Sequence, residues 1–127
     1  MKTPVATTKA PAAIGPYSQG VQVGNLVYVS GQIPIDPATG AFAGDDIVTQ
    51  THQVLKNVSE VLAAAGTSMD KVVKTTVLLK NMGDFVTVNE IYATYFTGEI
   101  LPARAAFEVA ALPKGALVEI DAIAVVE

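Results

Sequence analysis

A stripe of apolar residues that recur every three or four positions lies between Ile47 and Ala65. This spacing places them on one face of an α-helix, which Asp45 or Asp46 can cap and Gly66 can end. The stripe consists of Ile47, Thr51, Val54, Val58, Val61 and Ala65, and is widened by Val48, Leu55 and Leu62. We therefore predict an amphipathic helix of about five turns.

A second helix is predicted from Met82 to Phe96, because its larger apolar residues also share one side. These are Phe85, Val88, Tyr92 and Tyr95 or Phe96, and Thr97-Gly98-Glu99 then breaks the helix. Asn89 lies near the same side, and its local pattern is that of an ordinary surface amide. His52, at the margin of the first helix, is interpreted as structural because the sequence places no acid–base partner beside it.

The other apolar segments are short and rich in β-branched residues, as in β-strands. VQV at 21–23 and LVYVS at 26–30 are separated by Gly24-Asn25, which predicts a tight hairpin, and Ser30-Gly31 is predicted to end the second strand. Met1–Ala13 is predicted to be extended and Ile33–Ile35 to be a short edge segment. Further strands are predicted at Val72–Leu79, Arg104–Val109 and Leu117–Val126.

The last strand has two different faces. One face carries only aliphatic residues and suits a core against helices: Val118, Ile120, Ala122, Ala124 and Val126. The opposite face mixes aliphatics with two acids: Leu117, Glu119, Asp121, Ile123 and Val125. Because this second face is too apolar for water alone, we predict that another copy of the chain covers it. The whole chain, 1–127, is predicted to be one α+β domain.

Composition supports association between copies. Of 127 residues, 50% are hydrophobic and 16% are charged, and the mean hydropathy is +0.41. No apolar run approaches the roughly 20 residues that a membrane helix needs, so the excess must be buried in protein. The N-terminus has no apolar segment of the signal-peptide type, which predicts a cytoplasmic protein without a membrane partner.

Several classes of chemistry are disfavoured by residue counts. The chain has no cysteine and one histidine, so disulfides and thiolate nucleophiles are excluded and a transition-metal site is not expected. The net charge is −4 and no basic cluster is present, which argues against nucleic acid as the main partner.

Arg104 is the only arginine in the chain and lies among small and apolar residues in the segment LPARAAFE. Its planar guanidinium suits bidentate binding of a carboxylate or phosphate. A structural salt bridge to one of the 12 acids is an equally open interpretation of Arg104. For Glu119, local pattern alone favours an exposed strand glutamate near the Lys114 turn somewhat over a functional role.

Five segments together resemble the Rid/YjgF family of reactive-intermediate deaminases, and the resemblance covers nearly the full chain. They are APAAIGPYSQG (10–20), VSGQIP (29–34), VKTTVLLKNMGDF (73–85), VNEIYATYF (88–96) and LPARAAFEVAALPKGALVEIDAIAV (101–125). The resemblance implies a chorismate-mutase-like α+β fold, with a mixed sheet and two helices on one face. It also implies a homotrimer whose sheets form a central barrel with the helices outside.

The resemblance further implies hydrolysis of enamines and imines, such as 2-aminoacrylate and 2-iminobutanoate, to 2-oxo acids and ammonia. Arg104 of the PAR motif would then hold the substrate carboxylate, and Glu119 of the VEI motif would position or activate the attacking water. The remaining contacts would line a cleft between subunits: Tyr17, Ser30, Gly31, Asn89 and Ala106. No metal or organic cofactor is required for this chemistry.

One position departs from the family pattern, because many members carry a cysteine where this chain has Ala106. The deamination needs no thiol, whereas any role that depends on thiol oxidation or alkylation there is excluded. The alternative function is a regulatory protein that senses 2-oxo acids without catalysis, since similar trimers are implicated in translation inhibition, RNA cleavage or chaperone-like roles.

Overall fold

A computed structural model describes all 127 residues as one mixed sheet with two helices on one face. The strands are β1 (Lys2–Val5), β2 (Gly20–Val23), β3 (Leu26–Gln32), β4 (Val72–Leu79), β5 (Ala103–Glu108) and β6 (Val118–Val125), and the helices are α1 (Ile47–Ala64) and α2 (Phe85–Tyr95). The strand order is β1-β2-β3-β6-β4-β5. Only the β4–β5 pair is parallel, because α2 returns the chain to the same end of the sheet. The predicted α+β class with two helices and a mixed sheet is confirmed.

The first helix follows the predicted apolar stripe. Asp46 caps it by accepting a hydrogen bond from the Thr49 backbone N–H at 2.9 Å, and Gly66 ends it with a φ of +84°. The stripe residues that contact the sheet are fully buried: Val54, Leu55, Val58, Val61 and Leu62. Neither helix is both long and apolar enough to cross a membrane.

The faces of the sheet differ as predicted from β6. Alternate residues of β6 are buried beneath the helices, namely Val118, Ile120, Ala122 and Ala124. The intervening residues are only half-buried. Tyr28 and Phe107 belong to this second face through their pairing with Ile123 and Leu78, and they are 45% and 49% exposed. One chain therefore leaves an apolar sheet face in contact with solvent.

The predicted end of β3 at Ser30-Gly31 is wrong. The strand continues to Gln32, which pairs with Ile120, while Val29 pairs with Ala122. Three residue steps on β3 therefore oppose two on β6, which is a β-bulge. A glycine in the sequence is equally compatible with the end of a strand and with a bulge. Only the pairing with β6 distinguishes the two.

Other boundaries differ by smaller amounts. The predicted helix 82–96 begins with a 3₁₀ turn, Met82–Asp84, and is α-helical only from Phe85. Within 1–13 only Lys2–Val5 forms a strand, and the predicted edge segment 33–35 makes a single bridge, from Ile35 to Phe42. The predicted strands 104–109 and 117–126 are Ala103–Glu108 and Val118–Val125.

Candidate active site

Arg104 lies on the edge strand β5 and turns toward α2. Its Nη1 donates a hydrogen bond to Asn89 Oδ1 at 2.7 Å. The guanidinium carbon lies 5.2 Å from the ring centre of Phe85 and 4.9 Å from that of Tyr92, within the range of cation–π contacts. Asn89, an ordinary surface amide by its local pattern, is therefore a direct partner of Arg104. Arg104, Asn89 and Tyr92 border a cavity of about 440 Å³ that Leu101 also lines.

No carboxylate of the chain pairs with Arg104. The one ion pair within 4.0 Å joins Lys71 Nζ to Glu127 Oε1, at 2.8 Å. The structural salt bridge left open for Arg104 is thus absent within the chain. The guanidinium is exposed and retains donors for an anion that the chain does not supply.

Ala106 follows Arg104 on the same face of β5. It pairs with Val77, is half-buried and packs against the core. Its predicted contact with substrate stays a prediction.

Glu119 lies on the opposite face of the sheet, against the β3 bulge. A Cβ added to Gly31 would lie 2.9 Å from Glu119 Cδ and 3.2 Å from Cγ, and closer still to Oε2. The missing side chain at Gly31 is therefore what admits the carboxylate. Gly31 and Glu119, two of the predicted site residues, therefore lie in direct contact.

The environment of Glu119 favours its protonated form. Burial raises the pKa of the Glu119 carboxyl, and the negative charge of Asp121 raises it further. Asp121 is two residues along the same face of β6, and its Oδ1 accepts the Thr76 backbone N–H at 2.9 Å. A carboxylate whose pKa is raised is a stronger base and is therefore better suited to accept a proton.

Tyr17 borders a second cavity, of about 420 Å³, together with Gly31. Lys114 is the only charged residue in the lining of this cavity. The backbone of Lys114 has a φ of +57°, a conformation that is uncommon for a residue other than glycine.

The segment that carries Tyr17 is attached to the sheet by polar side chains. Ser30 Oγ donates to the Ser18 carbonyl at 2.5 Å, so this hydroxyl proton is engaged within the chain. The Gln19 amide donates to the carbonyls of Thr7, Ala10 and Pro11 and accepts the Thr7 N–H. Sequence reasoning missed Gln19, whose only signal was its place in the GPYSQG segment.

One chain does not bring Arg104 and Glu119 together. Arg104 pairs with Thr75, which is buried beneath the helices, and Glu119 pairs with Leu78, three residues farther along β4. Side chains an odd number of residues apart on a strand point to opposite faces. The predicted residues therefore form two groups, Arg104 with Asn89 on the helix side, and Glu119 with Gly31 on the other side.

Comparisons with known proteins agree along nearly the whole chain. The family model described as Endoribonuclease L-PSP matches residues 7–126. A mouse protein named 2-iminobutanoate/2-iminopropanoate deaminase is 60% identical over 121 residues, covering 95% of this chain and 89% of that protein.

Two solved structures have the same fold. The Yersinia pestis protein YyfA, described as a conserved Rid family protein of unknown function, has a TM-score of 0.97 and 55% identity, covering 99% of this chain and 100% of that one. Escherichia coli TdcF, solved with bound serine, has a TM-score of 0.92 and 41% identity, covering 98% and 99% of the two chains.

Proposed function

The chain belongs to the Endoribonuclease L-PSP family, which is also called the Rid or YjgF family, and from this we propose that it hydrolyses 2-imino acids to 2-oxo acids and ammonia. Relatives at 53% to 60% identity carry the name 2-iminobutanoate/2-iminopropanoate deaminase. The proposed substrates are short imines such as 2-iminopropanoate, which forms from 2-aminoacrylate, and 2-iminobutanoate.

The observation that carries this proposal is the free guanidinium of Arg104. An exposed cation with one amide partner and no acid is suited to bind a small carboxylate at its remaining edge. Imino acids bear that carboxylate next to the carbon that water attacks. Binding it would fix the position of the reacting carbon and increase its electrophilicity.

We place the complete site between copies of the chain. Arg104 and Glu119 project from opposite faces of one sheet, so a substrate that contacts both requires a second copy. The exposed face with Tyr28 and Phe107 offers the surface for it. A homotrimer with sheets around a central barrel satisfies both conditions, with Arg104 and Asn89 from one copy facing Tyr17, Gly31 and Glu119 from its neighbour.

The reaction needs one water and one proton shuttle. Ionised Glu119 accepts a proton from the attacking water as the water oxygen bonds to the imine carbon, and the imine nitrogen takes up a proton from solvent to give a carbinolamine. Glu119 then returns its proton to the amine nitrogen, the C–N bond breaks to release ammonia, and the hydroxyl left on the carbon loses its proton to solvent. The products are a 2-oxo acid and ammonia. The raised pKa of Glu119 makes its carboxylate a stronger base, which favours the first step.

The direct test generates 2-aminoacrylate with a pyridoxal-phosphate enzyme acting on serine and follows the appearance of pyruvate. The wild-type chain should accelerate pyruvate release, and Glu119→Gln should not, while still binding 2-oxobutanoate. If wild type and Glu119→Gln both bind 2-oxobutanoate and neither accelerates pyruvate release, the function is 2-oxo acid sensing and not deamination. Incubation of the same preparation with RNA tests the activity that the family's name describes.

A further inference from the structure

The strongest unassigned feature is the aromatic surface beneath Arg104. Phe85 and Tyr92 both lie on α2, and both rings face the guanidinium at cation–π distance. We propose that these two rings form a platform that fixes the plane of Arg104 before substrate binds, so that only one edge of the guanidinium is presented. This inference rests on the proposed function, because the presented edge is the one that would bind the carboxylate of the substrate.

Tyr92 is itself held rigidly. Tyr92 is 8% exposed, and its ring centre lies 4.3 Å from that of Phe96. Its hydroxyl forms a buried hydrogen bond of 2.7 Å with Thr75 Oγ1. Thr75 is the residue on β4 that pairs with Arg104. The side chain that supports the arginine is therefore fixed to the strand beside it, and ring and guanidinium keep their relative positions.

Asn89 restricts the guanidinium further. A guanidinium has five N–H donors in a rigid plane, and two parallel bonds to a carboxylate use one edge. The bond from Nη1 to Asn89 engages part of the group on the α2 side. Ordering this long side chain in advance lowers the entropy lost when an anion binds. Phe85 and Tyr92 are thus positioning residues, since they act through Arg104 without a role in the chemical step.

Arg104 is the only arginine in the chain, so its Nε–Hε group gives a single arginine side-chain signal in a ¹H–¹⁵N spectrum. Ring currents should displace this signal from the position of free arginine when it is recorded at mildly acidic pH, where exchange is slow. Phe85→Leu and Tyr92→Leu should each return it toward that position. Tyr95→Leu is the matched control, because Tyr95 lies on the same helix and contacts His52 instead.

Ligand affinity provides a second measurement. Tyr92→Leu should weaken binding of 2-oxobutanoate by about tenfold, within the range of a partly desolvated cation–π contact. The same substitution should have little effect in an Arg104→Lys background. Because a purely structural role of Tyr92 would weaken binding equally in both backgrounds, equal losses would overturn the proposal.

The spectrum also separates this proposal from the proposed function. Suppose that the wild-type signal is displaced, that the leucine variants return it to the free-arginine position, and that the protein has no imine turnover. This result would support the platform and reject deamination. A signal at the free-arginine position in the folded wild type would reject the platform whatever the activity. If Tyr92→Leu does not fold, half-buried Phe85 supplies the same test through Phe85→Leu.

Discussion

Gly31→Ala is the sharpest perturbation of the acidic half of the site. The added methyl carbon would lie 2.9 Å from Glu119 Cδ, whereas ordinary contact begins near 3.4 Å. Either the Glu119 side chain or the β3 bulge must move. The end of a flexible side chain moves more easily than the strand backbone, so we expect the carboxylate to move by at least about half an ångström.

The expected effect on turnover is large and that on stability is small. A misplacement of about 1 Å at a reacting group can cost roughly 100-fold in rate, and we expect a loss of kcat of that order. Gly31 does not have a positive φ, so alanine can adopt its backbone conformation. The reduced entropy of the unfolded chain then contributes about 0.4–1 kcal/mol of stabilisation, which offsets the displaced side chain.

The assay compares kcat for imine hydrolysis with the melting temperature of the same preparations. Gly83→Ala is the matched control, since a Cβ at Gly83 meets no atom within 4 Å and its φ is not positive. It should keep wild-type kcat and stability. In a Glu119→Gln background, Gly31→Ala should cause little further loss, because the group that it displaces is already inactive.

Wild-type kcat in a stable Gly31→Ala variant would refute the reasoning. It would mean that the carboxylate does not need the position it has beside residue 31. Unfolding of the variant would instead show that the bulge cannot tolerate a methyl group and that Gly31 is required by the strand.

The remaining predictions concern charge and assembly. Arg104→Lys keeps the charge but loses the planar fork, so binding of 2-oxobutanoate and turnover should fall steeply while the melting temperature stays near wild type; a destabilised variant with normal specific activity would contradict this. Asp121→Asn should shift the acidic limb of the kcat/KM profile to lower pH, because it removes a negative charge that raises the pKa of Glu119. Burial, the larger cause of the raised pKa, remains in this variant. An unshifted limb would show that Glu119 is not the titrating base. In sedimentation equilibrium the wild type should have three times the chain mass of 13.2 kDa. Phe107→Asp places a charge on the exposed sheet face and should sediment as a folded monomer. A wild-type monomer at micromolar concentration would reject the trimer.

The helices and the two faces of β6 could be predicted from sequence because each depends on local periodicity. The spacing from Ile47 to Ala65 defines a buried stripe, and alternation from Val118 to Val125 defines a core face. Such patterns need no knowledge of which elements are neighbours.

The arrangement of the site could not be predicted in this way. In β5 the residues flanking Arg104 are alanines on both faces, so alternation does not show which face meets the helices. The β4–β5 register decides it by placing Arg104 opposite buried Thr75. The Gln19 contacts likewise span 8 to 12 residues of irregular chain, which periodicity does not describe. The family resemblance named the residues, and their division between two faces came only from the structure.

Separation of Arg104 from Glu119 within a chain has a chemical consequence. If both lay on one face within reach, they would pair, and the positive charge would lower the pKa of the Glu119 carboxyl instead of leaving it raised. The pair would also use the guanidinium edge that an imino acid needs. Opposite faces keep each group in the state its proposed role requires: Arg104 without an acid, and Glu119 with a raised pKa.

In the proposed trimer the two groups then meet only across a subunit boundary, with room for a substrate carboxylate between them. Activity must therefore depend on assembly. Phe107→Asp separates assembly from the arrangement around Arg104, because Phe107 lies on the exposed face of the sheet, opposite to the face on which Arg104 lies. We expect it to abolish turnover while the Arg104 Nε–Hε signal stays displaced by the rings of Phe85 and Tyr92. A monomeric variant that retains full turnover would show that one chain brings the two groups together by a movement of the sheet.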